Sequence, residues 1–442
     1  MPQLTSDQIS HISSLSQSVS HAQEIDEQTE LARLAGLGDA VGLGAAMGAR
    51  PGVNPGLAVA WAAENGELEC LLMSMARFER GTFHPMAAAL AAQKGRDDCL
   101  AALVAGGGDE AGLTDALRSA CAAGQPQCVA ILLSMPHGPN PDAGRSPSAD
   151  PAGLGSQSAL DWATEASSEP CQRLLIEAIA PRDPPRALVL SARHGFADLV
   201  EELMVSTDPR ISGSEALYEA ALHGRAACVS LLIPASNPLD YASCALRFAA
   251  DNGHEDCVSL LLPHSNPADN DFESLAWASA KGHAEAARML LDAASPSQSA
   301  AATCLGLAAR AGHVEIAIML ARRCGSNWLD AKGDTALHVA MDRYINQARG
   351  DENGYHEDKD DDEEPTEKII PSDALLRGLL LAGAVLRPNA SGLDPVQYAE
   401  ARKDPSAAQV LRKLVALAQA RVIADVSPEP KDPLSPKPKP RI

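Results

Sequence analysis

Cysteine recurs at a fixed place along this chain of 442 residues, and cysteine is a common metal ligand. Six cysteines each lie four residues after a Gly or Ser that we take as the reference residue of a repeated unit: Cys70, Cys99, Cys128, Cys171, Cys228 and Cys257. A ladder of metal sites is one interpretation. Packed helices, however, lie about 8–10 Å apart, whereas zinc needs sulfur atoms about 2.3 Å from one ion. Since Leu199, Ala286 and Ile316 take this place in other units, we expect small buried apolar residues here.

Histidine forms a second set. Three histidines directly follow a reference residue and two directly precede one: His254, His283 and His313, then His194 and His223. Whole units separate them along the chain, so we expect no shared metal or catalytic site. The sequence also contains no GxSxG, HExxH or GxxxxGK[ST] motif and no CxxC pair. We therefore expect no catalytic residue, no cofactor and no metal.

A third candidate is the acidic stretch from Asp351 to Glu367, which holds ten acids and one lysine. Calcium binding is one hypothesis, but the order of ligands and glycine in an EF-hand loop is missing. A run of like charge is typical of a solvated, self-repelling loop. Docking of a basic partner protein is the other hypothesis.

Charge and composition exclude several classes of function. The net charge of −22 and a pI near 4.9 argue against nucleic acid, which is bound through Lys and Arg. No run approaches the roughly 18 apolar residues of a membrane-spanning helix, so we expect no membrane insertion. The N-terminal residues lack the charged and apolar regions of a secretory signal peptide. We expect a soluble monomer with reduced cysteines.

The elements that position these residues repeat along the chain. The intervals between reference residues are 28 to 30 residues, apart from one of 43. Apolar residues lie seven positions before each reference residue and, in most units, four and three positions before it, and leucine commonly lies eight positions after it. These spacings predict two short helices per unit, joined at the reference residue, where glycine tolerates a left-handed backbone. The reference residues are Gly38, Gly66, Gly95, Gly124, Ser167, Gly195, Gly224, Gly253, Gly282 and Gly312.

The pattern resembles the ankyrin repeat from about Glu30 to Leu417. The motifs that carry the resemblance are GDTALHVA from Gly333, GLDPVQYA from Gly392, and Gly-His followed by Glu at His254, His283 and His313. Ankyrin repeats have about 33 residues, so these shorter units predict shortened finger loops. The resemblance implies an all-α, ankyrin-like helical-hairpin solenoid of about 11–12 repeats.

The resemblance also implies roles for residues. The histidines beside the reference residues would help to close the turn between helices. A column of aromatic residues five positions before the reference residue, Trp61, Trp162, Phe248 and Trp277, would belong to the core. Family members bind protein partners near the end of the first helix, where side chains here vary. The candidate partner contacts are Glu64, Asn65, Gln93, Lys94, Arg193, His194, His223, Asp251, Asn252, Lys281 and Arg310.

Composition predicts the remaining boundaries. Residues 1–28 form a disordered segment, 29–136 a first array of repeats, and 137–157 a Pro/Gly/Ser-rich insert. A second array spans 158–420 with an acidic insert at 350–371, and a Pro-rich tail spans 425–442. The Ser/Gln/Ile-rich start resembles that of bacterial effectors delivered into host cells by type III secretion. The alternatives are an ordinary intracellular, cytoplasmic ankyrin adaptor and, third, an enzyme with its site in an insert.

Overall fold

The computed structural model describes residues 26–79, 82, 84–135, 138–141, 158–210, 214–330, 332–353 and 373–426. The regular elements of these residues are all helical. The chain divides into two compact units, unit 1 (Met1–Thr207) and unit 2 (Asp208–Ile442). Unit 1 contains α1 (26–36), α2 (Ala40–Ala49), α3 (Gly56–Asn65), α4 (Leu68–Met75), α5 (Pro85–Gln93), α6 (Asp97–Val104), α7 (Glu110–Ala122), α8 (Pro126–Leu133), α9 (Ala159–Glu165), α10 (Glu169–Ile179), α11 (Pro184–His194) and α12 (Ala197–Met204).

Unit 2 continues the same alternation of two helices and a loop. Two short 3₁₀ helices, Ile233–Ala235 and Leu262–His264, follow α14 and α16. The α-helices are α13 (Glu215–Leu222), α14 (Ala226–Leu232), α15 (Asp240–Asp251), α16 (Glu255–Leu261), α17 (Asp269–Lys281), α18 (Ala284–Ala293), α19 (Gln298–Ala311), α20 (Val314–Cys324), α21 (Ala336–Asn353), α22 (Asp373–Leu381), α23 (Pro395–Ala401) and α24 (Pro405–Val426).

Each odd-numbered helix pairs with the next even-numbered helix to form a hairpin. In the ten hairpins from α1/α2 to α19/α20, the reference residue between the helices is left-handed, with φ of 70° at Gly253 and 51° even at Ser167. Within each unit, most odd helices contact the next odd helix, such as α15 and α17, and most even helices contact the next even helix, whereas α10 contacts α11. The columns predicted to be apolar are buried, as at Leu246 and Leu261. The predicted all-α fold of stacked helical hairpins is confirmed, and these two helical layers bury the core between them.

Two connections of unit 2, from α14 to α15 and from α16 to α17, are short and lead into a left-handed turn at the start of the following helix. Tyr241, Ala242 and Ser243 at the start of α15 all have φ between 51° and 56°. This backbone is strained for residues other than glycine, and hydrogen bonds from the next repeat stabilise it. Ser243 Oγ donates to Asp269 Oδ2 at 2.7 Å and accepts from the backbone N–H of Asn266 at 3.0 Å.

Several predicted boundaries differ from those in the structure. Helix α1 begins at residue 26, α21 continues to Asn353 and α24 continues to Val426. The added residues of α1 and α24 include good helix formers such as Glu27, Gln28 and Ala424, whereas α21 continues through Gly350, a poor helix former, to the last residue described before the gap. The two units divide after Thr207, whereas α7 contacts α9 and α8 contacts α10 across the predicted insert at 137–157.

The other parts of the predicted terminal segments and inserts lie outside the described residues: 1–25, 137, 142–157, 354–371 and 427–442. Among the helices that the structure describes, none combines the length and the apolar character needed to cross a membrane.

Candidate partner-binding surfaces

The predicted partner contacts lie at the carboxyl ends of odd-numbered helices. We call Glu64, Asn65, Gln93, Lys94, Arg193 and His194 the turn ridge of unit 1, and His223, Asp251, Asn252, Lys281 and Arg310 the turn ridge of unit 2. Most of these side chains are exposed. The half-buried exceptions are Glu64, Arg193, His194 and Asp251.

Backbone groups of the unit 2 turn ridge are held by the following hairpin. His283 Nε2 lies 2.9 Å from the carbonyl oxygen of Asp251, and His313 Nε2 lies 3.1 Å from that of Ala280. Arg343 Nη1 donates to the Arg310 oxygen at 2.9 Å, so an arginine can replace the histidine. The last carbonyls of a helix have no partner within it. These contacts therefore satisfy them from a neighbouring repeat.

This geometry corrects the expected role of the histidines. Each of His254, His283 and His313 contacts the turn of the preceding hairpin and does not close its own. The ring lies so close to the preceding reference glycine that a Cβ on Gly253 would be 2.3 Å from His283 Nδ1. The glycine is required both by its φ of 70° and by this close approach.

His194 and His223 lie in other surroundings. The His194 ring stacks on Phe196 with centroids 6.2 Å apart. His223 Nε2 lies 3.5 Å from Glu219 Oε2, a carboxylate on the same helix that is almost completely buried.

Side-chain contacts also order parts of both turn ridges. In unit 1, Lys94 Nζ lies 3.7 Å from Glu64 Oε1, so the structure brings these two predicted contacts together. In unit 2, Asn252 Nδ2 donates to the Phe248 carbonyl at 2.9 Å and caps its own helix. Arg310 Nη2 lies 3.7 Å from Asp330 Oδ2. Asn252 is thus positioned within its own helix and Lys94 by the preceding hairpin, with part of each side chain still accessible.

The predicted aromatic core column is corrected by the structure. Trp61 is 49% exposed and Trp277 is 42% exposed, while Trp162 and Phe248 are half-buried. The physical reason is helical geometry, since the alanines three and four positions before the reference residue fix the buried side of the helix. A residue five positions before it falls on the far side. These spacings could have revealed the exposure from the sequence alone.

The aromatic side chains of unit 2 are held by charged neighbours. Trp277 Nε1 donates to Glu273 Oε1 at 3.3 Å, and Arg247 Nη1 donates to the same oxygen at 3.2 Å. The Arg247 guanidinium also lies 4.6 Å from the centre of the Phe248 ring, and the Tyr218 and Phe248 ring centres are 5.6 Å apart. Sequence reasoning missed this aromatic surface next to the unit 2 turn ridge.

The cysteines are buried, as predicted, except that Cys324 is partly exposed. Burial raises the pKa of Cys99 to about 11 and that of Cys304 to about 12. Cys128 Sγ donates to Asp97 Oδ1 at 3.1 Å, which joins two successive hairpins of unit 1. Within the described ranges, no group of three or more His, Cys, Asp or Glu side chains is arranged to hold a metal ion.

The repeated hairpins include a segment that matches a known family model. A family model described as ankyrin repeats, in three copies, matches residues 188–271 and 237–300. The chain is similar to the ankyrin repeat domain of Bcl-3, a member of the IkappaB protein family, with a TM-score of 0.38 and 20% identity, covering 52% of this chain and 98% of that one. It is also similar to an ankyrin repeat domain from Acinetobacter baumannii AYE, with a TM-score of 0.29 and 19% identity, covering 52% and 97%. No curated protein matches the chain.

Proposed function

Since residues 188–300 are ankyrin repeats, a family of protein–protein interaction modules, we propose that the turn ridge of unit 2 is the surface that captures a protein partner. Stacked repeats present extended surfaces of variable side chains on a shared core, which suits recognition of another protein. In this role the chain is a non-enzymatic binding protein.

The observation that supports the proposal most directly is the way the turn ridge is fixed. Lys281 and Arg310 are exposed, yet the backbone oxygens of Ala280 and Arg310 are held by His313 and Arg343 of the next hairpins. Side chains on a preorganised backbone lose less freedom on binding, which favours affinity. The turn ridge of unit 2 therefore presents exposed charged side chains on a backbone that is held by hydrogen bonds.

The neighbouring aromatic residues add apolar contact area. Trp277 lies one helical turn before Lys281 on α17 and is partly exposed, and Glu273 accepts a hydrogen bond from its indole N–H. Partly exposed tryptophans held in one orientation are typical of residues that dominate the energy of protein interfaces. We assign Trp277 as the apolar anchor beside the charged turn ridge.

The test is capture of proteins from lysate by the immobilised full chain, followed by quantitative mass spectrometry. The double variant Lys281→Glu/Arg310→Glu should lose the partner that the unmodified chain captures. The matched control is Arg322→Glu/Lys413→Glu, which makes the same charge change at exposed positions of α20 and α24. Equal capture by the ridge variant and the control would rule out this surface, provided that both variants keep the melting temperature of the parent.

A bacterial effector acting in host cells is a second candidate function. Its support is compositional, since residues 1–28 are rich in Ser, Gln and Ile and resemble type III secretion signals. A fusion of residues 1–50 to a reporter enzyme tests it in a bacterium with a type III system. Export that depends on the secretion apparatus supports the effector role, and a reporter that stays inside the bacterium supports an intracellular adaptor.

A further inference from the structure

A polar groove of about 660 Å³ lies beside the carboxyl end of α19 in unit 2. Three cations line it: Arg310 from α19, Lys332 from the following loop and Arg343 from α21. Asn346, Gln347 and Tyr398 add amide and hydroxyl groups. Three separate elements thus contribute a cationic side chain each to the lining of one cavity.

The two carboxylates of this groove are already engaged. Asp342 accepts hydrogen bonds from Arg402 and, at 3.3 Å, from the hydroxyl of Tyr398. Asp334 Oδ1 accepts from Asn389 Nδ2 at 2.8 Å. Arg402 balances the charge of Asp342, and Asp330 lies 3.7 Å from Arg310. Lys332 and Arg343 therefore remain against the single carboxylate of Asp334, which leaves an excess of one positive charge. This local excess of positive charge is notable in a chain of net charge −22.

The cations are positioned by the fold. The Arg343 guanidinium lies over Gly312, so that a Cβ added to Gly312 would be 2.4 Å from Arg343 Cζ. Arg343 Nη1 also donates a hydrogen bond to the Arg310 carbonyl oxygen. His338 in the groove wall uses both ring nitrogens, with Nδ1 2.8 Å from Thr335 Oγ1 and Nε2 2.9 Å from the Leu393 oxygen. A ligand would therefore be held by the arginines and Lys332, and not by the histidine.

We infer that this groove binds an acidic segment of the partner protein, with Asp or Glu carboxylates against Arg310, Lys332 and Arg343. The inference rests on the proposed function, because it names the kind of partner that the adjoining turn ridge captures. The volume lies within the range of about 300–1,000 Å³ that is typical of sites for larger organic ligands, so it accepts several atoms of peptide beyond a single anion. Arginine forks match the geometry of carboxylates.

The experiment uses the full chain and a fluorescein-labelled octaglutamate peptide, with binding followed by fluorescence anisotropy at constant ionic strength. Lys332→Glu should weaken binding by about tenfold and Lys332→Gln by a smaller factor, since charge pairs contribute strongly to specific contacts. Lys413→Glu, exposed on α24, is the charge-matched control and should change the affinity by less than about twofold. Lys332 is exposed, so its variants should melt with the parent.

Three results would overturn the inference: no binding of the peptide, equal weakening by Lys332→Glu and Lys413→Glu, or displacement of the peptide by inorganic phosphate far more strongly than by chloride at equal ionic strength. The last result would indicate a phosphate site. Lys281 does not line the groove. Loss of partner capture on Lys281→Glu alone, together with peptide binding that ignores Lys332→Glu, would refute the acidic ligand and leave the proposed function intact.

Discussion

His283 reaches across to Asp251 of the preceding hairpin, with its Nε2 2.9 Å from the backbone oxygen of Asp251. His254 makes the same contact with the Leu222 oxygen at 3.0 Å, and His313 with the Ala280 oxygen at 3.1 Å. Each of these turns therefore depends on a side chain that belongs to the next repeat. The stability of the turn ridge is a property of neighbouring hairpins together.

We predict that His283→Ala destabilises unit 2 by about 1–2 kcal/mol, because it leaves a helix-terminal carbonyl without its partner and removes packing over Gly253. The measurement is urea unfolding followed by circular dichroism. His264→Ala is the control, since His264 is exposed in a 3₁₀ helix. Equal shifts for the two variants would show that the contact with Asp251 contributes nothing.

We predict that Gly253→Ala is more destabilising than Gly392→Ala. The two glycines have similar φ of 70° and 78°, so alanine has a comparable left-handed cost of about 1–2 kcal/mol at each. A Cβ at position 253 would also meet His283 at 2.3 Å, while position 392 has no atom within 4 Å. Differential scanning calorimetry should give a melting temperature several degrees lower for Gly253→Ala. Equal melting temperatures would mean that His283 moves aside freely.

We predict that Cys324 is the first cysteine to react with a maleimide in the native protein. It is only partly buried, whereas the other cysteines are buried, and the thiolate is the reactive form. Burial raises the pKa of Cys128 and Cys304 to about 12, so these thiols carry little thiolate near pH 8. Mass spectrometry of peptides after short labelling identifies the site. Cys324→Ser should remove the fast phase, and rapid labelling at Cys128 would contradict the buried column.

We predict a stability contribution from Glu273 that disappears in acid. The hydrogen bond from Asn270 is the largest cause that holds the pKa of Glu273 below its ordinary value, and Trp277 and Arg247 contribute as well. A lowered folded pKa stabilises the protein above the pKa of unfolded glutamate, about 4.3, and the effect is lost as pH falls through the folded value. Glu273→Gln should thus cost about 1 kcal/mol at pH 7 and progressively less below about pH 4.

Thermal unfolding of Glu273→Gln and the parent across this pH range gives the measurement. Glu202→Gln, exposed on α12, is the control and should show a small difference at every pH. A penalty for Glu273→Gln that grows as the pH falls would contradict the sign of the predicted effect.

Spacing alone predicted the hairpins because the physical requirement at each position is local. A left-handed turn needs glycine or a tolerant residue such as Ser167, and close helices need alanine at positions like Ala249. The target of His283 could not be predicted in this way, since its contact with Asp251 spans 32 residues. The exposure of Trp277 follows from its position on the helix relative to the buried alanines. The general expectation that large aromatic residues are buried gives the opposite prediction.

The backward reach of His254, His283 and His313 has a consequence for synthesis of the chain. During synthesis, the turn of each hairpin emerges from the ribosome before the histidine that contacts its carbonyl oxygen, because that histidine belongs to the following hairpin. Water must solvate each newly emerged turn until about one further repeat has left the exit tunnel. A nascent chain that pauses between repeats should therefore have a frayed helix at its most recently synthesised turn. A slower translation rate should lengthen the time for which that turn is accessible to proteases.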